Sequence, residues 1–340
     1  MGRPPIFIVT TGENGAGLVQ GLLDGHPALS NLPFIVDFFA IHRKVAGEGA
    51  IAAPTGALVE ALVRYPMVER VFNRKASQAY GDFRNCAFSK IAFVSRFAER
   101  AGSKDVLEKT AFLEASCDAF AHAFGLDPNA TFVLHTHFPA TIAEYVDAYP
   151  EAKIVVCTAQ LQNMLAYSSV TIPRILAKKA VPFRIQMAER KATLCERIAI
   201  AAGLPKTRTL PVAFETLLTD PTRVADELAR FLGIARDDSL FSSTTFGHPL
   251  ACRYPTGEFT IRNGKTEAKD PKFGALLDGK PERMSPFHLR HYRTEWPVDR
   301  PYGVRDTVSS LSASARQCIV EIGDSLGRIG RGGPDDRQAA

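Results

Sequence analysis

Two hydrophobic rhythms alternate along this chain. Residues 6–9, Ile-Phe-Ile-Val, form a short β-branched run bounded by turn formers and too short for a helix, which predicts a buried strand. Leu18, Val19, Leu22 and Leu23 then recur at helical spacing until Gly25 offers a stop. The pairing returns downstream. Residues 131–134, Thr-Phe-Val-Leu, follow an Asp-Pro-Asn turn and predict a second buried strand, running into His135-Thr136-His137-Phe138-Pro139 and a helix over 141–149. Residues 153–157, Lys-Ile-Val-Val-Cys, predict a third strand. Residues 210–221 read as strand and turn, and Val224, Leu228, Phe231 and Leu232 then form a helical stripe. Asp220 is its expected N-cap, Pro221 its first turn and Gly233 its stop.

The intervening segments are less regular. Residues 34–41 are apolar and aromatic, 47–56 are rich in Gly and Ala, 58–72 have helical periodicity, and 88–124 read as helical throughout. Residues 172–203 form a long helical pattern with a basic flank that includes Arg174, Lys178, Lys179, Arg184 and Arg190. That flank reads either as a solvated face or as bases turned inward. Strand-loop-helix units alternating with helices imply an α/β fold, a mainly parallel sheet flanked by helices, with ligand at the carboxyl ends of the strands.

The first corner carries the chemistry. A strand, a loop with Gly12, Gly15 and Gly17, and a helix aim backbone N–H groups and a helix dipole at one point, a geometry suited to an anion. Gly12 to Gly17 has P-loop spacing, but Leu18 and Val19 stand where Lys and Ser/Thr would hold phosphate and Mg²⁺, so a kinase or NTPase loses its chemistry. A dinucleotide fingerprint is not matched either.

Composition narrows the partners. The 340 residues are 46% hydrophobic and 23% charged, ordinary for a globular protein, with no apolar run long enough for a bilayer and no signal-peptide pattern, so the cytoplasm is the expected location. The net charge of +5, with bases and acids interspersed, suits small anionic ligands and argues against nucleic acid. Six scattered cysteines have no metal-ligand spacing; they read as reduced and structural, and no metal is implied.

The first corner resembles the opening of bacterial-type sulfotransferases that use 3′-phosphoadenosine-5′-phosphosulfate (PAPS). Thr10-Thr11-Gly12-Glu13-Asn14-Gly15-Ala16-Gly17 occupies their loop and His26-Pro27 the end of their helix. Tyr149-Pro150-Glu151-Ala152-Lys153 matches a second corner, with Thr136 or His137 in place of its lysine. Residues 158–169 resemble the motif in which an Arg and a Ser hold the 3′-phosphate; Ser168 or Ser169 matches the Ser. Residues 210–221 match a strand-and-turn block in which Glu215 reads mainly as structural, and Arg290 to Trp296 a closing helix. Glu13 stands where the family places a cation, and Thr158 to Gln160 where it places the Arg. At about 4 Å and an effective dielectric of 20, a unit charge pair is worth roughly 4 kcal/mol, so such exchanges bear directly on phosphosulfate affinity.

The resemblance implies a P-loop-like sulfotransferase fold as one domain over residues 1–300, with 34–125 as a helical acceptor-side insertion or a plain helical cap, then a C-terminal helix and polar tail over 301–340. It implies PAPS as co-substrate, with Thr11, Gly12, Asn14, Gly15, Ala16, Gly17, Thr158, Ser168, Arg262 and Lys265 as cofactor-binding candidates. His137, His135 and, less favoured, Glu13 are the candidate bases for a small-molecule or glycan acceptor, and either His equally reads as filling its corner. Three functions remain open at this level: sulfuryl transfer, transfer from another donor, and a non-catalytic binding or scaffold module that keeps the fold.

Overall fold

The computed structural model describes residues 3–10, 15–47, 49–75, 83, 88–136, 139–158, 206–254 and 257–268. The chain divides into two compact units, residues 1–167 with 204–298 and residues 168–203 with 299–340, and everything described belongs to the first. Elements are numbered over the described residues.

A five-stranded parallel sheet organises this unit. β1 (Ile6–Thr10) is central, between β5 (Thr131–Thr136) and β6 (Lys153–Thr158), while β2 (Leu29–Ile35) and β7 (Thr209–Ala213) are the edges, giving the order β2-β5-β1-β6-β7. β1 pairs Val9 with Thr136 on one side and Thr10 with Cys157 on the other. All five β1 residues are buried, which explains its continuous apolar run: a parallel strand covered on both faces needs no polar alternation. The mainly parallel α/β architecture expected from the sequence is the one observed.

Helix ends are set by the residues expected to set them. Gly25 lies just past α1 (Ala16–Leu22), with φ 76° in the turn to β2. Asp220 accepts a hydrogen bond from the Arg223 amide at the start of α9 (Pro221–Leu232), Pro221 occupies the first turn, and Gly233 closes the helix at φ 68°. Lys153, the first residue of β6, donates to Phe231 O at 2.7 Å and so places a cation on the carboxyl end of α9.

Three expectations change in the region between β2 and β5. Residues 34 and 35 complete a strand instead of opening a separate segment. β2 hides from pattern reading because Pro33 interrupts it and because its edge position tolerates a residue that cannot donate to the ladder. The helical pattern over 58–72 is divided at Tyr65-Pro66 into α3 (Thr55–Val63) and α4 (Pro66–Phe72), since Pro66 starts a helix better than it continues one. The pattern over 88–124 is divided into α5 (Lys90–Ala101) and α6 (Lys109–Phe124). Between them Gly102 leaves the helical region and β4 (Val106–Glu108) pairs with β3 (Ala52–Pro54) as a small antiparallel ribbon.

One face of the sheet is sealed by aromatic rings. Phe120 of α6 lies 4.5 Å from Phe93, 5.2 Å from Phe34 and 5.3 Å from Phe124, centroid to centroid. Phe7 of β1 meets Tyr145 of α7 (Pro139–Ala148) at 4.8 Å, and Tyr145 stacks on Phe39 of α2 (Phe38–Ala46) at 4.1 Å. α2, α6 and α7 are also tied by charge: Glu144 of α7 accepts from Arg43 of α2 and Lys109 of α6. Burial pushes the Glu144 carboxyl up, but hydrogen bonds from Lys109 and Arg43 and their charges outweigh it and hold the group below the usual carboxylate range.

Candidate functional site

The strand order itself selects a place. From β1 the chain goes to β2 on one side, returns to β5, and then crosses to β6 on the other side. The carboxyl end of β1 is therefore the topological switch point, where an open α/β sheet leaves a crevice for ligand. Three threonines end the three central strands there: Thr10, Thr136 and Thr158. Thr10 and Thr136 are buried.

Gly15 follows at this end, and its conformation explains its residue type. Its φ of 82° is left-handed, and a Cβ built on it would lie 2.5 Å from Phe214 Cδ2 and 3.5 Å from Leu217 Cδ2. Only glycine satisfies both the dihedral and the contact. Phe214 opens α8 (Phe214–Thr219), which follows directly on β7, so the second edge of the sheet abuts Gly15. Glu215 lies in the first turn of that helix.

α1 begins one residue after Gly15, earlier than the loop assignment of Ala16 and Gly17 implies. Both lie in its first turn, where the amides have no acceptor within the helix, while Leu18 and Val19 already donate to Gly15 O at 2.9 and 3.1 Å. The cofactor candidates Thr11, Gly12 and Asn14, the candidate base Glu13, and His137 and Ser168 lie outside the described residues.

α1 is fixed beneath this corner by a buried polar network. Gln20 Nε2 donates to Leu32 O, which leaves Oε1 as the acceptor for His135 Nδ1–H at 3.0 Å. Asn31 Nδ2 donates to Gln20 O at 3.1 Å. Asp24 accepts from Thr244 Oγ1 at 2.7 Å and from the Gly247 amide at 2.9 Å, both through Oδ2. His26, of the His-Pro pair, accepts from the Ala28 amide at Nδ1, so its Nε2–H donates to Ala235 O at 3.0 Å. Gln20, Asp24, His26 and Asn31 are all buried.

This network includes one of the candidate bases. His135 is only 2% exposed and its Nδ1–H is directed at Gln20, an arrangement that fits the corner-filling reading of this residue. Arg262 and Lys265 flank the turn of a β-hairpin, β11 (Gly257–Arg262) and β12 (Lys265–Ala268), the last two strands among the described residues after β8 (Thr244–Thr245), β9 (His248–Pro249) and β10 (Cys252–Tyr254). Thr222 donates to Gly264 O at 3.2 Å and the Gly264 amide to Phe241 O at 2.7 Å, while exposed Arg262 faces Glu267 at 4.0 Å. No described contact joins either base to Gly15.

The sequence reading placed Thr10 in the first loop and Phe214 in the strand-and-turn block without giving either a role at the site, and passed over Gln20. Thr10 was legible as a hydroxyl directly ending an apolar β-run; the other two act across the fold at long sequence separation. Cys157, at the carboxyl half of β6, is buried and burial pushes its thiol up, which removes it as a nucleophile. Among the described residues no group of three or more His, Cys, Asp or Glu is placed to hold a metal, and no helix is long and apolar enough to cross a membrane.

No protein-family model matches the chain, and no curated protein matches it in sequence. Solved structures to which it is similar are sulfotransferases. The sulfotransferase domain of the Synechococcus PCC 7002 olefin synthase is 15% identical over 92% of this chain and 94% of its own, with a TM-score of 0.44. The sulfotransferase domain of the curacin biosynthetic pathway is 14% identical over 92% and 98%, with a TM-score of 0.43. A sulfotransferase from Alicyclobacillus acidocaldarius is 15% identical over 85% and 95%, with a TM-score of 0.41.

Proposed function

We propose that this protein is a sulfotransferase-type enzyme that binds PAPS at the carboxyl end of β1 and transfers its sulfuryl group to a hydroxyl or amine of a small-molecule or glycan acceptor. The observation that carries the reading is the coincidence of the switch point with Gly15: the central strand ends in Thr10, and the helix after it opens on a glycine held at φ 82°. The sequence resemblance of this corner supplies the donor. In the transfer, the acceptor oxygen or nitrogen bonds to sulfur as the bond from sulfur to the bridging oxygen breaks. Adenosine 3′,5′-bisphosphate leaves, and the acceptor proton passes to a base. Such chemistry chiefly needs alignment and stabilisation of the departing charge. With His135 sealed beneath α1, the proposal assigns the base to His137, with Glu13 as its competitor.

A second reading, a non-catalytic module with the same fold, is favoured by one observation: Arg262, a candidate phosphate ligand, is exposed and faces Glu267. Titrating the full chain with adenosine 3′,5′-bisphosphate separates the two. Saturable heat that disappears in a folded Gly15→Asp variant supports transfer; no heat at millimolar nucleotide leaves only the module.

A further inference from the structure

Gly15 differs from most of the left-handed glycines in what surrounds it. At Gly102, Gly125 and Gly247, with φ of 63°, 68° and 76°, no atom of a described residue comes within 4 Å of the point that a Cβ would occupy. At Gly15 that point lies 2.5 Å from Phe214 Cδ2, 3.2 Å from Phe214 Cε2 and 3.5 Å from Leu217 Cδ2, all from the helix that follows the far edge of the sheet. Glycine adopts φ above zero about as readily as below it, so Gly15 brings no preference of its own for 82°. Its neighbours must supply one.

The Gly15 carbonyl accepts from the Leu18 and Val19 amides at 2.9 and 3.1 Å, which ties the residue to α1, while Phe214 and Leu217 close its Cα side. The closing side chains are themselves fixed. Ala213, immediately before Phe214, pairs with Thr158 across β7 and β6, Thr266 Oγ1 donates to Leu218 O at 2.7 Å, and Phe214 and Leu217 are buried. The ring is therefore held by the sheet and the last hairpin, not by the residue it presses on.

We infer that Phe214 is a positioning residue of the donor corner: its ring holds Gly15 in the left-handed turn from which α1 starts, so the corner is set for a nucleotide before one arrives. The link to the nucleotide rests on the donor reading above; the hold on Gly15 does not. Apparent affinity scales with the fraction of molecules in the competent conformation, so a fall of that fraction to about a tenth in Phe214→Ala weakens adenosine 3′,5′-bisphosphate about tenfold in calorimetric titration of the full chain. Phe214→Leu, which keeps a carbon at the δ position, should restore binding to within about threefold. Leu218→Ala removes a buried side chain of the same helix that is not among the atoms nearest Gly15, so it should lower the thermal midpoint and leave affinity in place. A second readout needs no nucleotide. The Gly15 amide signal of the chain labelled with ¹⁵N-glycine, identified by its loss in Gly15→Ala, should be single and sharp in the wild type and broadened or doubled in Phe214→Ala. Should Phe214→Ala fail to fold, Phe214→Val, which has no δ carbon, takes its place against Phe214→Leu. Undiminished affinity in a folded Phe214→Ala, an equal loss in Leu218→Ala, or an unchanged Gly15 signal would overturn the assignment. A wild-type chain that binds no nucleotide would overturn the donor link and the reading it rests on, while the Gly15 signal still decides the hold.

Discussion

The two faces of the parallel sheet are built from different chemistry. On the α2, α6 and α7 side the contacts are rings on rings, with Phe7, Phe34, Phe38, Phe93 and Phe120 all at or below 2% exposure. On the α1 side the packing encloses Gln20, Asp24, His26, Asn31 and His135, each hydrogen-bonded to a named partner. Apolar packing is non-directional: it seals a face but does not define one angle of approach. A buried hydrogen-bond network is directional and costly when broken. The aromatic face thus supplies bulk stability, whereas the polar face sets where α1, and with it the glycine corner, stands against the carboxyl end of β1.

The largest loss is expected on the aromatic side. Phe120→Ala should cost about 4 kcal/mol, since it empties the hub of the ring cluster, while the position of α1 and nucleotide binding in the surviving folded fraction stay unchanged. Urea unfolding with a parallel titration checks both halves; a lost binding site in a still-folded chain would contradict the separation of roles. On the polar side, Asp24→Ala should cost about 3 kcal/mol because Thr244 Oγ1, the Gly247 amide and Asn31 lose a buried acceptor. Here nucleotide affinity should fall as well, since α1 loses its anchor at the turn between β8 and β9.

Gly15→Ala should cost about 1–2 kcal/mol for the left-handed dihedral alone. The contact with Phe214 adds to this, and Gly15→Ala combined with Phe214→Ala should recover the contact part but not the dihedral part. A thermal-shift series resolves the two; full recovery in the double variant would show that conformation is not the constraint.

The smallest effect is on pH. Glu144 is held below its ordinary range, so its contribution is fully present above the unfolded carboxylate value, about 4.3, and is lost as pH falls through the lower native value. Glu144→Gln should therefore flatten the acid limb of stability below about pH 4.3 and leave the neutral-pH limb similar in shape. An acid limb of unchanged steepness in that variant would mean that other carboxylates govern it.

Much of the sheet was legible because parallel strands buried on both faces leave short, unbroken apolar runs, as at residues 6–9, 131–134 and 153–157. The edges were harder. β2 carries Pro33 and mixes Ser30 and Asn31 among its apolar residues: Asn31 faces the polar network on α1, while Ser30, on the other face, donates to Asp127 O. Periodicity also merged helices that short interruptions divide, at Tyr65-Pro66 and at residues 102–108. At the site, Gly15 was readable from its strand-to-helix context. The roles of His135 and Phe214 were not, since each is set by a partner more than a hundred residues away, Gln20 in one case and Gly15 in the other.

Calorimetric titration of the intact chain with adenosine 3′,5′-bisphosphate tests the central claim, that the carboxyl end of β1 at Gly15 receives an anionic nucleotide. The expected result is a saturable exotherm, undiminished in Arg262→Ala and absent in a Gly15→Asp chain that still melts cooperatively. No binding at millimolar nucleotide, or binding that survives the change at Gly15, would contradict it.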